Sequence, residues 1–262
     1  MTGGVAEVPR VAVVTGANRG IGRAIAVALA ADGFAVAATA RDPATLTDTL
    51  EEVEKAGAAT LALACDVRDE QSVATMAATA ETLGPVHTVV ANAGIAGPTA
   101  PLHKMSLQQW RDTLVVDLDG VFLTFRAFVP EMIARGGGSL IAISSMTGKR
   151  PLHGRTPYAA AKMGVIGLVR SLAVELGPHG VRVNAICPGP VAGPRIDDVI
   201  RAQAAALGVS EDEARAAFTG SSPLGRLVEA DEVGRACAFL ASDAATAITG
   251  EDLNVTAGIV MY

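Results

Sequence analysis

The chain has 262 residues, half of them hydrophobic and 18% charged, which is enough for one compact domain with a large core and nearly too short for two. That apolar content excludes a disordered chain. A net charge of -6 argues against nucleic acid and anionic membrane as partners, while a local basic pocket for a phosphate remains open. Three cysteines, Cys65, Cys187 and Cys237, are too few for a disulfide framework and read as small core side chains in a reducing compartment, the cytoplasm. Met1 to Pro9 shows no basic region followed by an apolar run, so no signal peptide is expected, and no apolar stretch is long enough to span a bilayer.

Strands and helices alternate along the chain. Val11 to Thr15 is a short β-branched run that reads as a strand buried on both faces, and Arg23 to Ala31 as a helix stopped by Asp32 and Gly33. Phe34 to Ala40 is a second strand, followed by a helix that starts at Asp42 and Pro43 and ends at Lys55 to Gly57. Thr60 to Ala64 and Val86 to Ala91 are strands that bracket a helix over Val67 to Leu83. The spacing predicts a long helix over Leu107 to Ile133, a strand over Ser139 to Ser144, a helix over Tyr158 to Leu176 and a strand over Val181 to Ile186. A helix over Glu229 to Leu240 and a short strand over Leu253 to Val255 complete the order. Connections of this length are right-handed crossovers, so the fold class is α/β, a single doubly wound domain with a parallel seven-stranded sheet. Between the sixth strand and the late helix, residues of about 188–227 form an insertion with short helices over Arg195 to Leu207 and Ser210 to Phe218, expected to cover the sheet edge as a lid. Ligands belong at the carboxyl ends of the strands, near the point where strand order reverses.

Thr15, Gly16, Ala17, Asn18, Arg19, Gly20, Ile21 and Gly22 lie between the first strand and its helix. Glycines there permit a tight turn and close approach of a pyrophosphate, and the helix N-terminus supplies unpaired N–H groups, so the turn reads as a dinucleotide site. The second strand ends at Ala40 and Arg41 with no acid to accept from a free ribose 2′-hydroxyl, and Arg41 with Arg19 favours NADP (NADPH), with NAD the alternative. Asp42 either folds toward the ribose or caps the next helix. Asp66, followed by Val67, either accepts from the adenine amino group or caps its loop. Asn92, Ala93 and Gly94 follow the fourth strand, small residues that let backbone pass close to a flat ring, with Asn92 free to tie neighbouring loops.

Only four lysines stand against 17 arginines, and one of them, Lys162, comes four residues after Tyr158, on one helical face. A neighbouring ammonium stabilises a phenolate, which equips a tyrosine to move a proton to or from an alcohol oxygen beside a hydride transfer. Ser145, after the fifth strand, can hold that oxygen.

These motifs resemble the short-chain dehydrogenase/reductase family along nearly the whole chain, in the flavour of 3-oxoacyl-carrier-protein reductases and polyol dehydrogenases. The matching residues are Thr15, Gly16, Gly20 and Gly22, the adenine-side Asp66, Asn92 to Gly94, the catalytic Ser145, Tyr158 and Lys162, and Pro188 with Gly189 beside the nicotinamide. The resemblance implies that Lys162 also holds the nicotinamide ribose, and that the chain is a homotetramer or homodimer built on the two long helices. Two positions depart. Asp117 stands where the family has an asparagine at a local kink, and a carboxylate lacks the amide's donor unless it is protonated. Val191 to Pro194 replaces the threonine that many members use to hold the carboxamide.

The expected activity is therefore an NAD(P)-dependent interconversion of a ketone and a secondary alcohol on a small-molecule substrate. The alternative is a non-catalytic dinucleotide-binding protein, regulatory or structural, in which Asp117 has weakened the site. Met146 to Thr156 leads into Tyr158 and carries Lys149, Arg150, His153 and Arg155, a basic rim suited to a polar or anionic substrate; a solvated or subunit-contact loop is the plainer alternative. Arg195 opens the insertion and can close over the substrate. The histidines His87, His103 and His179 lack partners at metal-ligand spacing, so no metal site is assigned. Phe122, Phe125 and Phe128 form a bulky stripe, and Ile259 to Tyr262 suggests a docked C-terminal tail.

Overall fold

The computed structural model describes residues 10–262; the stretch Met1 to Pro9, where no signal peptide was expected, lies outside the described residues. Seven parallel strands form one sheet in the order β3-β2-β1-β4-β5-β6-β7. They are β1 (Val11–Val14), β2 (Ala35–Ala40), β3 (Thr60–Ala64), β4 (Val86–Ala91), β5 (Gly138–Ile143), β6 (Val181–Pro188) and β7 (Asp252–Val255). Side chains alternate across a strand, so each inner strand feeds two cores. Val11 and Val13 join the layer packed by α3 (Glu70–Ala80), α5 (Gly120–Arg135) and α7 (Thr156–Leu176). Ala12 and Val14 join the opposite layer, packed by α1 (Gly20–Ala31), α2 (Thr47–Lys55) and α10 (Ala230–Ala241). In that second layer α1 and α10 meet backbone to backbone: a methyl group on Gly234 would stand 2.6 Å from the Ala24 carbonyl oxygen.

The chain winds outward from β1 to β3, then returns to β4 on the other side of β1. Helices after β1 and β4 therefore leave on opposite faces, and a crevice opens between the carboxyl ends of these two strands. Over that end lie α8 (Pro194–Leu207) and α9 (Glu211–Gly220), whose Ile196, Val199, Ile200 and Ala214 pack with Ala96 and Leu152 as a small separate core. The expected insertion is thus two helices seated on the loops after β4 and before α7.

Four local expectations need correction. The helix expected from Val67 starts at Glu70, because Asp69 caps it by accepting from the Gln71 N–H, and Val67 instead packs on Gly120. The long helix over Leu107 to Ile133 is two helices, α4 (Leu107–Leu114) and α5, joined by a π-turn over Val115–Asp119. The segment after Ser145 is not all loop: α6 (Met146–Lys149) forms there, with the Ser145 hydroxyl accepting from the Thr147 N–H. The phenylalanine stripe splits, since Phe125 and Phe128 fill the core while Phe122 is half-exposed beneath the Arg126 guanidinium. The C-terminal tail docks as far as Val260, which is buried, and Met261 and Tyr262 are exposed. Cys65, Cys187 and Cys237 are buried free thiols. Among the described residues, no helix is long and apolar enough to cross a membrane.

Candidate active site

The glycine turn follows β1 at the crevice. Gly16 and Gly20 hold φ of 65° and 54°, conformations that L side chains rarely adopt. A methyl on Gly22 would stand 2.2 Å from the Gly16 carbonyl oxygen, so only glycine lets α1 start against the turn. Arg19 precedes α1 in extended conformation and no side chain caps the helix, which leaves the first-turn N–H groups pointing at the crevice. Asn92 braces the turn, its amide donating to the Thr15 and Gly16 carbonyls at 2.8 and 3.1 Å. The Thr15 hydroxyl accepts in return from the N–H groups of Asn92 and Ala93. Arg23, which sequence reasoning passed over, donates to the Asn18 carbonyl and pairs with Asp48. An uncapped helix start behind a turn that tolerates no side chain fits a dinucleotide pyrophosphate, through Gly16, Asn18, Arg19, Gly20, Ile21 and Gly22.

At the outer strands, Arg19 and Arg41 are exposed and make no ion pair among the described residues. Asp42 takes the capping role, accepting from the Ala44 N–H. Both Asp66 carboxylate oxygens are held by the Arg68 side chain, which keeps this carboxyl below the usual range. An adenine amino group would share Asp66 with Arg68. On the other flank, Gly189 closes on the chain just after β7, where a methyl would stand 2.9 Å from the Thr256 Cα, and Val191 bridges Val228 beyond Pro188.

Tyr158 and Lys162 sit in the first two turns of α7. Lys162 is buried at 3% exposure and donates to the Ile143 carbonyl at 3.0 Å, the last residue of β5. The next residue but one, Ser145, is buried too, and the Ser144 hydroxyl donates to the Lys162 carbonyl. Gly148 allows α6 to lie on α7, since a methyl there would meet Lys162 backbone at 2.9 Å. The Lys162 ammonium lies 5.7 Å from the Tyr158 ring centre. Serine, tyrosine and lysine are thereby gathered at the carboxyl end of β5, one strand from the glycine turn across β4.

Asp117 occupies the middle of the π-turn and is fully buried. One carboxyl oxygen accepts from the Ile95 N–H at 2.7 Å, and the other has no partner among the described residues. A methyl on Gly94 would stand 3.0 Å from Asp117 Oδ1 and 3.5 Å from Lys162 Nζ, so Gly94 separates the two charges. Burial pushes the Asp117 carboxyl above its usual value, against the opposing pull of Lys162.

The basic rim is largely dismantled by the fold. Arg155 is 4% exposed, donates to the Ala96 carbonyl at 2.6 Å and stacks on the Tyr158 ring with its guanidinium carbon 4.8 Å from the ring centre. Lys149 turns to the far side, where it pairs with Asp252 at 3.2 Å and donates to Asn254. Arg150 and His153 remain exposed, the His153 carbonyl accepting from Gln203 of α8, and Met146 is buried at the start of α6. Arg195 reaches from α8 to the Gly94 carbonyl at 3.3 Å, so the lid touches the site through it. The signal for Arg155 was present in its spacing, three residues before Tyr158.

Comparison with known proteins shows the family of the chain. A family model described as enoyl-(acyl carrier protein) reductase matches residues 16–260. The chain is 40% identical over 97% of its length to the cis-4-hydroxycyclohexanecarboxylate dehydrogenase of Sinomonas cyclohexanicum, covering 98% of that protein. Among solved structures, an actinorhodin polyketide ketoreductase with NADPH superposes with a TM-score of 0.92 at 36% identity, covering 97% of this chain and 98% of that one. Carveol dehydrogenase from Mycobacterium avium in complex with NAD gives 0.89 at 34%, covering 95% and 97%. The chain belongs to the short-chain dehydrogenase/reductases, a family of nicotinamide dinucleotide oxidoreductases.

Proposed function

We propose that this protein interconverts a ketone and a secondary alcohol on a polar or anionic small molecule, with NADP(H) as preferred cofactor. The observation that carries the reading is a tyrosine and a buried lysine on one turn of α7, beside two serines at the end of β5 and one strand from an uncapped, glycine-built helix start. When bound, the dinucleotide supplies or takes up the hydride. Tyr158 gives its phenolic proton to the substrate oxygen in reduction and takes it back in oxidation. Ser145 holds that oxygen: its Oγ already accepts from the Thr147 N–H, which leaves its own proton for the substrate. Lys162 spends one N–H on the Ile143 carbonyl and keeps two for the phenol and the nicotinamide ribose. Asn92, Ala93, Gly94, Pro188, Gly189 and Val191 line the path of the nicotinamide half, and Asp66 with Val67 the adenine half.

The preference for NADP rests on Arg19 and Arg41, two exposed cations with no ion-pair partner among the described residues. Replacing both by alanine should weaken NADPH about tenfold or more, as loss of charge-assisted hydrogen bonds does, and leave NADH nearly unchanged. Titration of both dinucleotides by fluorescence decides it; an unaltered NADPH/NADH ratio removes the argument. Arg195 and His153 remain as contacts for an anionic substrate group under the lid, residues of about 188–227, in what we read as a single domain.

A panel of polyols, hydroxy acids and β-keto thioesters offered with both cofactors tests the activity itself. The reading of a non-catalytic binder rests only on Asp117, and the dehydrogenase and reductase names of the relatives do not favour it. Half-exposed Phe122 and Met163 with exposed Val174, on α5 and α7, support a homotetramer or homodimer through those helices. The three buried free thiols suit a cytoplasmic location.

A further inference from the structure

Three consecutive residues after β4 are each gripped by a charged side chain from a different element. The Gly94 carbonyl accepts from Arg195 of α8, the Ile95 N–H donates to Asp117 of the π-turn, and the Ala96 carbonyl accepts from Arg155 ahead of α7. Arg155 does more than hold backbone. Its guanidinium lies 4.8 Å from the centre of the Tyr158 ring, closer than the Lys162 ammonium at 5.7 Å. Lying almost out of water, it acts through little screening.

We propose that Arg155 is a positioning residue for Tyr158, a second cation that fixes the phenol ring against the Gly94–Ala96 loop and favours its ionised form alongside Lys162. The proposal rests on the reading of Tyr158 as the proton-transferring group, yet concerns a residue to which that reading gives no role. A cation over an aromatic face is attracted to the ring, and more strongly once desolvated. It is attracted further when the oxygen on that ring carries negative charge. The Arg155 guanidinium is held twice, by the Ala96 carbonyl and by the stack, so little rotamer freedom is lost when the charge appears. The groups that face the phenol are Arg155 and Lys162 directly, with Asp117 from the π-turn and Arg195 from α8 behind the loop. Asp117 is the one anion among them. Its buried carboxyl lessens the charge that the cations would otherwise press on one another.

The test uses the fact that the chain has two tyrosines, Tyr158 and the exposed Tyr262. In a Tyr262→Phe background the ultraviolet tyrosinate transition of the cofactor-free protein reports Tyr158 alone, and Tyr158→Phe in the same background gives the blank. Arg155→Met should move that transition to higher pH by about half a unit or more, the size expected of a desolvated cation over a ring. Arg155→Lys, which keeps the charge, should restore most of the shift. A transition that stays put in Arg155→Met, with circular dichroism and dinucleotide binding preserved, overturns the proposal. Should Arg155→Met not fold, Arg155→Lys and Arg155→Gln decide: the glutamine must lie at higher pH than the lysine, and equal transitions overturn it. Turnover is not needed for this readout. An inactive protein with a shifted transition therefore counts against the proposed function alone, and an active one with no shift against Arg155 alone.

Discussion

Tyr158→Phe lowers turnover by about 10²–10⁴-fold, the usual worth of a positioned proton donor, and leaves dinucleotide binding intact. The ring that Arg155 stacks on is retained, as is the hydrophobic half of the contact, so the fold around the Gly94–Ala96 loop loses only a hydroxyl. Steady-state turnover of a ketone found in the substrate panel, followed by nicotinamide absorbance, measures the first effect. Fluorescence titration measures the second. Residual turnover within a few-fold of the parent would show that the proton comes from elsewhere. Lys162→Met is the harsher change. It removes a buried cation that donates to the Ile143 carbonyl and leaves that carbonyl and the Asp117 carboxyl without it. It should therefore lower thermal stability as well as turnover, whereas Tyr158→Phe should barely move the melting temperature.

Asp117→Asn stabilises the protein at neutral pH, and the gain disappears in acid. Burial raises this carboxyl in the folded protein above its unfolded value near 3.8, more than Lys162, the Ile95 N–H and the two arginines lower it. A carboxyl raised on folding contributes its stability below the unfolded value and loses it as pH climbs through the folded one. Above that window the charged form opposes folding, by about 1.4 kcal/mol for each unit of the rise. Asparagine keeps an oxygen to accept from the Ile95 N–H and carries no charge at any pH. The melting-temperature difference between variant and parent should thus be largest at neutral to alkaline pH and close to zero near pH 4, about the unfolded value. A variant that is destabilised at pH 7 would show instead that the three cations need their anion more than the carboxylate needs water. The same variant speaks to catalysis. If Asp117 had disabled the site, the amide would bring turnover to a protein that otherwise has none.

How much of this was legible in the residues depends on the range of the interaction. β3 and β4 fall at Thr60–Ala64 and Val86–Ala91 as their apolar runs indicate, because a short parallel strand is a local apolar run, half-buried at the edge in β3 and buried inside the sheet in β4. The π-turn at Val115–Asp119 was invisible for a related reason. Its residues, Val115 to Asp119, include no glycine or proline that would mark a break, so they read as more of the same helix. The turn carries Asp117 to the Ile95 N–H, a partner 22 residues away. The basic segment before α7 failed in the same way. Lys149 and Arg155 look alike in sequence, yet one pairs with Asp252 on the edge strand and the other lies on Tyr158, since α6 ends at Lys149 and the chain turns at His153 and Gly154 before it reaches Arg155.

By itself the sequence determined the alternation of strands and helices, the glycine turn, and the tyrosine and lysine one turn apart. Each depends on backbone conformation and spacing within a few residues, and such signals do not wait for a partner. Tertiary structure alone decided which charges are in water. It buried Arg155 and Asp117, left Arg41 exposed, and joined the lid to the site through Arg195. Burial is a sum over neighbours brought from distant segments, and the free energy of a charge depends on that sum far more than on the residues beside it in the chain.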